Sequence, residues 1–290
     1  MNHSNPIWPP FLSPGDTIGI VAPARKVVPE QLEKGIKLIE NAGFKVKLAS
    51  NIGLENGQFA GSDEERAEGI NAFILDDEVK AMMAARGGYG SIRTIQHIQW
   101  ENWKARPKWF CGFSDVTVIH EALSSKLNMI SLHAPVLTTL ELGSEACQKH
   151  FFDSLKMKTT CFPEHQHLVK GRTFGGNLSM IYSLTGTDLL SKGDVLFIED
   201  LDEMLYHLDR MLMNLEYSGV FNGVKTIALG SFSDFKDNTL EFGFSTDNPY
   251  GKTAKEILEE RLEKLGMKVI YDLPFGHQKE NWAWYHGEMY

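Results

Sequence analysis

Lys108-Trp-Phe-Cys-Gly-Phe-Ser114-Asp115-Val-Thr117 is the stretch on which the reading of this chain turns. Trp109, Phe110 and Cys111 are apolar and suit the end of a buried strand. Residues 115–123 read as a helix, so Ser114 falls in the sharp turn where strand hands over to helix. That geometry exposes a hydroxyl and aims the first free backbone N–H groups of the helix at whatever the hydroxyl attacks. Serine and aspartate are also among the commonest helix caps, so the stretch alone fits a cap as well as a nucleophile. Partners elsewhere in the chain have to decide.

On the amino-terminal side, a Pro-rich lead-in gives way to Thr17-Ile-Gly-Ile-Val-Ala22, an unbroken apolar run of the kind found in parallel strands buried on both faces. Pro29 opens a helix in which Leu32, Ile36 and Ile39 fall at helical spacing, and Gly43 closes it. Residues 44–49 resume as a strand. Ser62-Asp-Glu-Glu65 is a capping box starting a helix whose inner face is Ala67, Ile70, Phe73 and Ile74. Residues 79–85 read as a further buried strand and residues 90–98 as a further helix. The alternation predicts an α/β fold built on a parallel sheet covered on both faces.

Beyond Met157 the character changes. Residues 158–172 carry Pro163, two closely spaced histidines and no clear period, and read as a linker. The expected organisation is an N-terminal parallel-sheet α/β domain at 1–157, carrying Ser114, and a smaller C-terminal α/β domain at 173–290. In the latter, Phe174-Gly-Gly-Asn177 leads into a helix, residues 194–198 form a buried strand, and residues 203–215 form a helix with Met204, Leu208, Met211, Leu212 and Leu215 inward. A strand follows at 225–229. Asn248-Pro249 is expected to start a helix carrying Leu258, Leu262 and Leu265, before a last clear strand at 267–272.

With 290 residues, 42% of them hydrophobic and 23% charged, the chain has the composition of a soluble globular protein with a substantial core. A formal charge of −9 argues against nucleic acid as a partner. The three cysteines, Cys111, Cys147 and Cys161, have neither metal nor redox spacing and are expected as buried free thiols. No apolar stretch reaches the length of a membrane span, and the first residues lack the charged and apolar regions of a secretory signal. The expected location is the cytoplasm, with no membrane partner. His165-Gln-His167 lacks further ligands nearby, so no metal and no cofactor are expected.

Three features could act with Ser114. Arg86-Gly-Gly-Tyr-Gly90 ends a buried strand with glycines that let a ligand approach the backbone; its spacing matches neither a dinucleotide fingerprint nor a P-loop, and a tight turn explains it equally well. Glu199 directly continues the apolar strand Val195-Leu-Phe-Ile198, placing a carboxylate where open α/β sheets form their crevices. Its neighbours Asp200, Asp202 and Glu203 are explained by the dipole of the following helix. His277, in Pro274-Phe-Gly-His277, follows the last strand and alone reads as a loop histidine. Together Ser114, Glu199 and His277 make up a nucleophile, an acid and a base, each at a strand end. A serine hydroxyl needs an imidazole to take its proton, and the imidazole needs a carboxylate to fix its tautomer. Gly112-Phe-Ser114 lacks the second glycine of α/β-hydrolase elbows, and no His-Gly-Gly-Gly segment is present, so an ordinary lipase or esterase fold is not indicated.

At this point the sequence resembles the LD-carboxypeptidases, a family of serine peptidases. The blocks that carry the resemblance run in order along nearly the whole chain: Gly15-Asp-Thr-Ile-Gly-Ile-Val-Ala-Pro23, Phe59-Ala-Gly-Ser-Asp-Glu-Glu-Arg66, Ala85-Arg-Gly-Gly-Tyr-Gly90, Gly112-Phe-Ser-Asp115, His133-Ala-Pro135, Gly175-Gly-Asn-Leu178, Ile198-Glu-Asp200 and Phe275-Gly-His277. The resemblance implies a cytoplasmic, metal-free homodimer with its active site between the two domains. It implies removal of the terminal D-alanine from murein tetrapeptides in peptidoglycan recycling, with Ser114 as nucleophile, His277 as base and Glu199 as orienting acid. Backbone N–H groups of Gly88 and Asp115 are the implied oxyanion hole. Arg86, Gly87, Tyr89 and Asn177 are candidate substrate contacts, and Arg210 is a further candidate for the substrate carboxylate. Two alternatives accompany it: an immunity-type hydrolase of aminoacyl-nucleotide conjugates, similar to the microcin C self-resistance proteins, and a peptide-binding relative without activity. Ala24 stands where relatives often carry serine. The tail Glu280-Asn-Trp-Ala-Trp-Tyr-His-Gly-Glu-Met-Tyr290 stands where they usually continue into another strand, and its aromatics are expected to cover core.

Overall fold

Strand β1 (Thr17–Val21) sends alternate side chains to opposite faces: Ile18 and Ile20 enter one apolar cluster, and Val21 enters another. Strand β3 (Val79–Ala84) divides the same way, Ala81 and Met83 against Met82 and Ala84, which is why both read as continuous apolar runs. These relationships come from a computed structural model that describes residues 5–162 and 164–290. Residues 1–4 of the lead-in and Pro163 of the expected linker lie outside the described residues. One side of this sheet is covered by helix α1 (Glu33–Asn41) and the other by α2 (Asp63–Leu75), whose capping box at Ser62 and Glu65 is formed.

The first sheet adds β2 (Lys45–Leu48), β4 (Trp109–Gly112), β5 (Ser131–His133) and β10 (Trp284–His286), in the order β10-β5-β4-β3-β1-β2. All neighbours are parallel except β10, which pairs antiparallel with β5. The second sheet, β6 (Thr173–Asn177), β7 (Val195–Leu201), β8 (Thr226–Ser233) and β9 (Lys268–Ile270), is parallel throughout in the order β6-β7-β8-β9. The fold is therefore α/β, with two parallel-rich sheets.

The tail does more than cover core. Trp284, within the range read as C-terminal domain, hydrogen-bonds into the first sheet while its ring stacks on Phe197 of the second, 4.1 Å between centroids. A three-residue edge strand has too few positions to show a period, so it is invisible to pattern reading. Helix α6 (Glu145–Lys156), capped by Ser144, was likewise unread. The helix expected at Asn248-Pro249 is α9 (Ala254–Glu263); it starts later because Thr253 and Glu256 form a reciprocal capping box there. The helix expected over 90–98 is a single turn, Ser91–Thr94, continued by a 3-10 turn, Ile95–His97.

Helix α5 (Thr117–Leu127) follows Ser114 and closes the exposed edge of β6. The Asn177 N–H donates to Thr117 Oγ1 (3.0 Å), the Gly175 N–H to Glu121 Oε1 (2.7 Å), and the Thr173 N–H to the Glu288 carbonyl (2.9 Å). An edge strand's alternate donors are thereby satisfied by the first sheet's helix and by the tail.

Candidate active site

Ser114 stands at the carboxyl end of β4 with φ of 67°, in the left-handed region. For a residue with a side chain that conformation costs about 1–3 kcal/mol and persists only where surroundings impose it. The neighbouring Asp115 supplies part of the constraint. Its buried carboxylate accepts from the Ser91 N–H (2.8 Å) and the Gly90 N–H (3.3 Å), tying the Arg86–Gly90 loop to the Ser114 turn. Burial raises the Asp115 pKa, against the opposing pull of those hydrogen bonds. Fully buried Arg66 ties in more loops, donating to the Pro23, Gly61 and Gly90 carbonyls, to Thr94 Oγ1 and to Asp63.

Glycines leave space beside the hydroxyl. A Cβ on Gly87 would lie 3.1 Å from Ser114 Oγ, and one on Gly88, at φ of 114°, would lie 2.5 Å from Arg25 Cδ. Asp115 occupies the first turn after Ser114, where backbone N–H groups have no partner within the helix.

The loop after β9 brings His277 to this point. Its Nε2 is 3.1 Å from Ser114 Oγ, and its Nδ1 is 2.6 Å from Oε2 of the fully buried Glu199. A carboxylate only accepts, so Nδ1 carries the hydrogen and Nε2 is left to accept from the serine hydroxyl. The His277 backbone N–H donates to the same Glu199 oxygen (3.2 Å). Burial pulls the imidazole pKa down, but the Glu199 charge, its hydrogen bond and the nearby Asp200 outweigh this and raise it above the ordinary histidine value. Ser114, Glu199 and His277, distant in sequence, thus form one hydrogen-bonded line.

Asn177, a candidate substrate contact by sequence, is buried behind the acid. Its amide donates to Glu199 Oε1 (3.2 Å) and Asp200 Oδ1 (3.0 Å), and its own Oδ1 caps α7 (Leu178–Ser183) through the Met180 N–H. Asp200 also accepts from the Ser179 N–H (3.0 Å) and Leu201 N–H (2.9 Å). Burial, and then the charge of Glu199, push its carboxyl up to about 7. The sequence reading explained Asp200 by helix charge alone and missed its place beside the acid.

A cavity of about 470 Å³ adjoins the imidazole, lined by Phe113, Thr139, Leu142, His277, Lys279 and Asn281. Tyr89 is exposed, next to Phe59. Arg86 and Arg25 are close enough for each charge to oppose the other, and among the described residues neither guanidinium has a carboxylate within ion-pair distance. Arg25 was not among the sequence candidates; its packing over Gly88 leaves no local sequence signal. Arg210, by contrast, is exposed on α8 (Leu205–Tyr217) with its guanidinium 5.1 Å from the Tyr206 ring. His165 and His167 join no metal-ligating set: among the described residues no group of three or more His, Cys, Asp or Glu side chains is so placed. The three cysteines are buried and unpaired, and burial pushes the thiols of Cys147 and Cys161 up to about 12. Among the described residues, no helix is long and apolar enough to cross a membrane.

The fold and site define a class: α/β proteins in which two parallel-rich sheets bring a hydroxyl, an imidazole and a carboxylate into line. Residues 18–134 match the LD-carboxypeptidase N-terminal domain, and residues 170–290 match the LD-carboxypeptidase C-terminal domain. The chain belongs to the LD-carboxypeptidase family. It is 31% identical over 283 residues to a probable murein peptide carboxypeptidase of Bacillus subtilis (strain 168), covering 93% of this chain and 86% of that one. The crystal structure of muramoyltetrapeptide carboxypeptidase from Oxalobacter formigenes superposes with a TM-score of 0.77 at 27% identity, covering 93% of this chain and 92% of the other. The microcin immunity protein MccF bound to glutamyl sulfamoyl guanosine shares the fold, with a TM-score of 0.81 at 20% identity over 96% of this chain and 92% of that one.

Proposed function

We propose that this protein is a serine-type LD-carboxypeptidase that releases the terminal D-alanine of murein tetrapeptides. The observation that carries the reading is the unbroken line from Ser114 Oγ through the His277 ring to Glu199. Ser114 Oγ attacks the carbonyl of the penultimate residue as His277 Nε2 takes the hydroxyl proton, and Glu199 stabilises the imidazolium. The developing oxyanion is met by the N–H groups of Gly88 and Asp115, donors worth about 3–4 kcal/mol each in such sites. Collapse breaks the C–N bond, His277 returns the proton to the leaving amine, and D-alanine departs from an acyl-enzyme. Water then attacks, giving its proton to His277, and Ser114 is restored.

A carboxypeptidase must recognise a terminal carboxylate. Arg86 and Arg25, beside the serine loop and without acidic partners among the described residues, suit that anion, and guanidinium forks favour bidentate pairing. Gly87 leaves room for the peptide, and Tyr89 offers a ring at its border. The cytoplasm, recycling and a homodimer are the family setting that accompanies this reading.

The test is mass spectrometry of murein tetrapeptide incubated with the parent protein and with Ser114→Ala. D-Alanine should be released by the parent, with a loss of roughly four to six orders of magnitude in the variant and little change in folding. Equal rates would exclude Ser114 as nucleophile. Cleavage of an aminoacyl-sulfamoyl nucleotide without D-alanine release would favour the immunity-type activity instead.

A further inference from the structure

The line from Ser114 to Glu199 does not end at the acid. Glu199 Oε1 accepts from Asn177 Nδ2 (3.2 Å), and the Asn177 N–H donates to Thr117 Oγ1 (3.0 Å). Thr117 is the first residue of α5, and its N–H donates to the Ser114 carbonyl. The path therefore returns to its origin: Ser114 to His277, His277 to Glu199, Glu199 to Asn177, Asn177 to Thr117, and Thr117 back to the backbone of Ser114. One half crosses between the sheets through the reactive groups, and the other half crosses through groups that take no part in proton transfer.

We infer that Thr117 and Asn177 are positioning residues that hold the nucleophile and the acid in register across the boundary between the two sheets. The inference rests on the reading of Ser114 and Glu199 as nucleophile and orienting acid. Its physical basis is the distribution of the triad. Ser114 belongs to the first sheet, and Glu199 belongs to the second, so any slide of one sheet past the other would lengthen the bonds to His277. Thr117 and Asn177 are buried, and the fit around them is tight: a Cβ on Gly176 would lie 2.6 Å from Thr117 Oγ1. A hydroxyl acceptor at 117 thus fixes the end of β6, and β6 presents Asn177 to the carboxylate. The same helix face continues the contact, for Glu121 Oε1 accepts the Gly175 N–H, and Ser124 Oγ and Asn128 Oδ1 accept from Arg172. Thr117, Glu121, Ser124 and Asn128 recur at helical spacing, a polar stripe on a buried helix.

Thr117→Val keeps the shape but removes the acceptor, whereas Thr117→Ser keeps the acceptor. Asn177→Ser preserves a good helix cap and the backbone donor but deletes the amide that reaches Glu199. Each is measured for kcat and KM of D-alanine release from murein tetrapeptide, for melting temperature, and for the low-field Nδ1–H proton resonance of His277 in the free protein. Thr117→Val and Asn177→Ser should lower kcat by about ten- to hundredfold with KM within about twofold, the size expected of small misplacements of reacting groups. Both should shift or broaden the His277 resonance, and Thr117→Ser should restore rate and resonance. Parental kcat and an unchanged resonance in Thr117→Val and Asn177→Ser would overturn the inference, as would a serine variant impaired as much as the valine one. If the parent itself releases no D-alanine, the functional reading fails separately, and the His277 resonance alone decides: a shift in the valine variant reversed in the serine variant supports the coupling, and no shift overturns it. Should Thr117→Val not fold, Asn177→Ser supplies the same decision.

Discussion

Glu121 Oε1 lies 2.9 Å from His286 Nε2, and both side chains are fully buried. The pair joins α5 to β10, while the same carboxylate accepts from the Gly175 N–H (2.7 Å) and, through Oε2, from the Ser191 N–H (2.6 Å). Burial alone would raise the Glu121 pKa, but the charge and hydrogen bond of His286 and the Ser191 contact together depress it. One carboxylate thus holds three segments of chain, and it does so only as an anion.

Glu121→Gln replaces one acceptor oxygen with a donor facing an N–H, leaving a buried group unmatched. Breaking one member of a buried ionic cluster costs about 3–5 kcal/mol, so a large fall in denaturation midpoint is expected. Denaturant titration measures it. A midpoint within experimental scatter of the parent would mean the seam contributes little.

His120 and His133 should make the fold acid-sensitive. Burial first, and then the neighbouring His286, lower the His120 pKa to about 3; burial and the surrounding His120, His286 and His277 hold His133 well below its ordinary value. Unfolded, each histidine takes a proton below about pH 6.5, while the folded rings do not. Stability is therefore lost as pH falls below that value, at up to about 1.4 kcal/mol per pH unit for each ring. His277, with its raised pKa, acts at higher pH: its contribution is complete below about 6.5 and fades as pH rises through the folded value. His133→Phe keeps an aromatic ring against Trp284 and removes two nitrogens that have no hydrogen-bond partner among the described residues, so it should reduce the slope between pH 6 and 4. A slope as steep in His133→Phe as in the parent would exclude the His133 ring as its cause.

These interior groups also mark how far the sequence could be read. Strands β1 and β3 were legible because burial on both faces writes an uninterrupted apolar run, and Ser62 and Glu65 were legible because a capping box is local. The Ser114, Glu199 and His277 positions were legible as strand ends, and their family blocks linked them. Asn177 was placed against substrate because a polar residue after two glycines carries no sign of the direction it faces; the register of β6 against β7 puts it opposite Glu199. Trp284 was out of reach for a different reason. Its antiparallel pairing with His133 joins two residues from opposite halves of the sequence, and no local pattern encodes such a contact.

Gly87→Ala tests how closely the serine hydroxyl is packed. Gly87 does not occupy the left-handed region, so alanine is allowed by its backbone, but the added Cβ would sit 3.1 Å from both Cβ and Oγ of Ser114. The hydroxyl must shift by a few tenths of an ångström, and it is already 3.1 Å from His277 Nε2. Activity should fall by about ten- to hundredfold while stability changes by no more than about 1 kcal/mol. Full activity with alanine would show that the Ser114 position is less constrained than its contacts indicate.

The pH dependence of kcat/KM tests the electrostatics around the base. His277 must be neutral to accept the serine proton, so activity rises as pH passes upward through its pKa in the free protein. Because Glu199 and Asp200 favour the imidazolium, that acid limb should lie above the ordinary histidine value of about 6.5. Burial, and then the Glu199 charge, push the Asp200 carboxyl up to about 7, and its charge adds to that of Glu199 in favouring the His277 imidazolium. Asp200→Asn removes one negative charge near the imidazolium while leaving the Glu199 contact in place. The limb should then move to lower pH. A limb that stayed where it was would show that Asp200 is screened from His277, and one that moved upward would contradict the charge arrangement of the site.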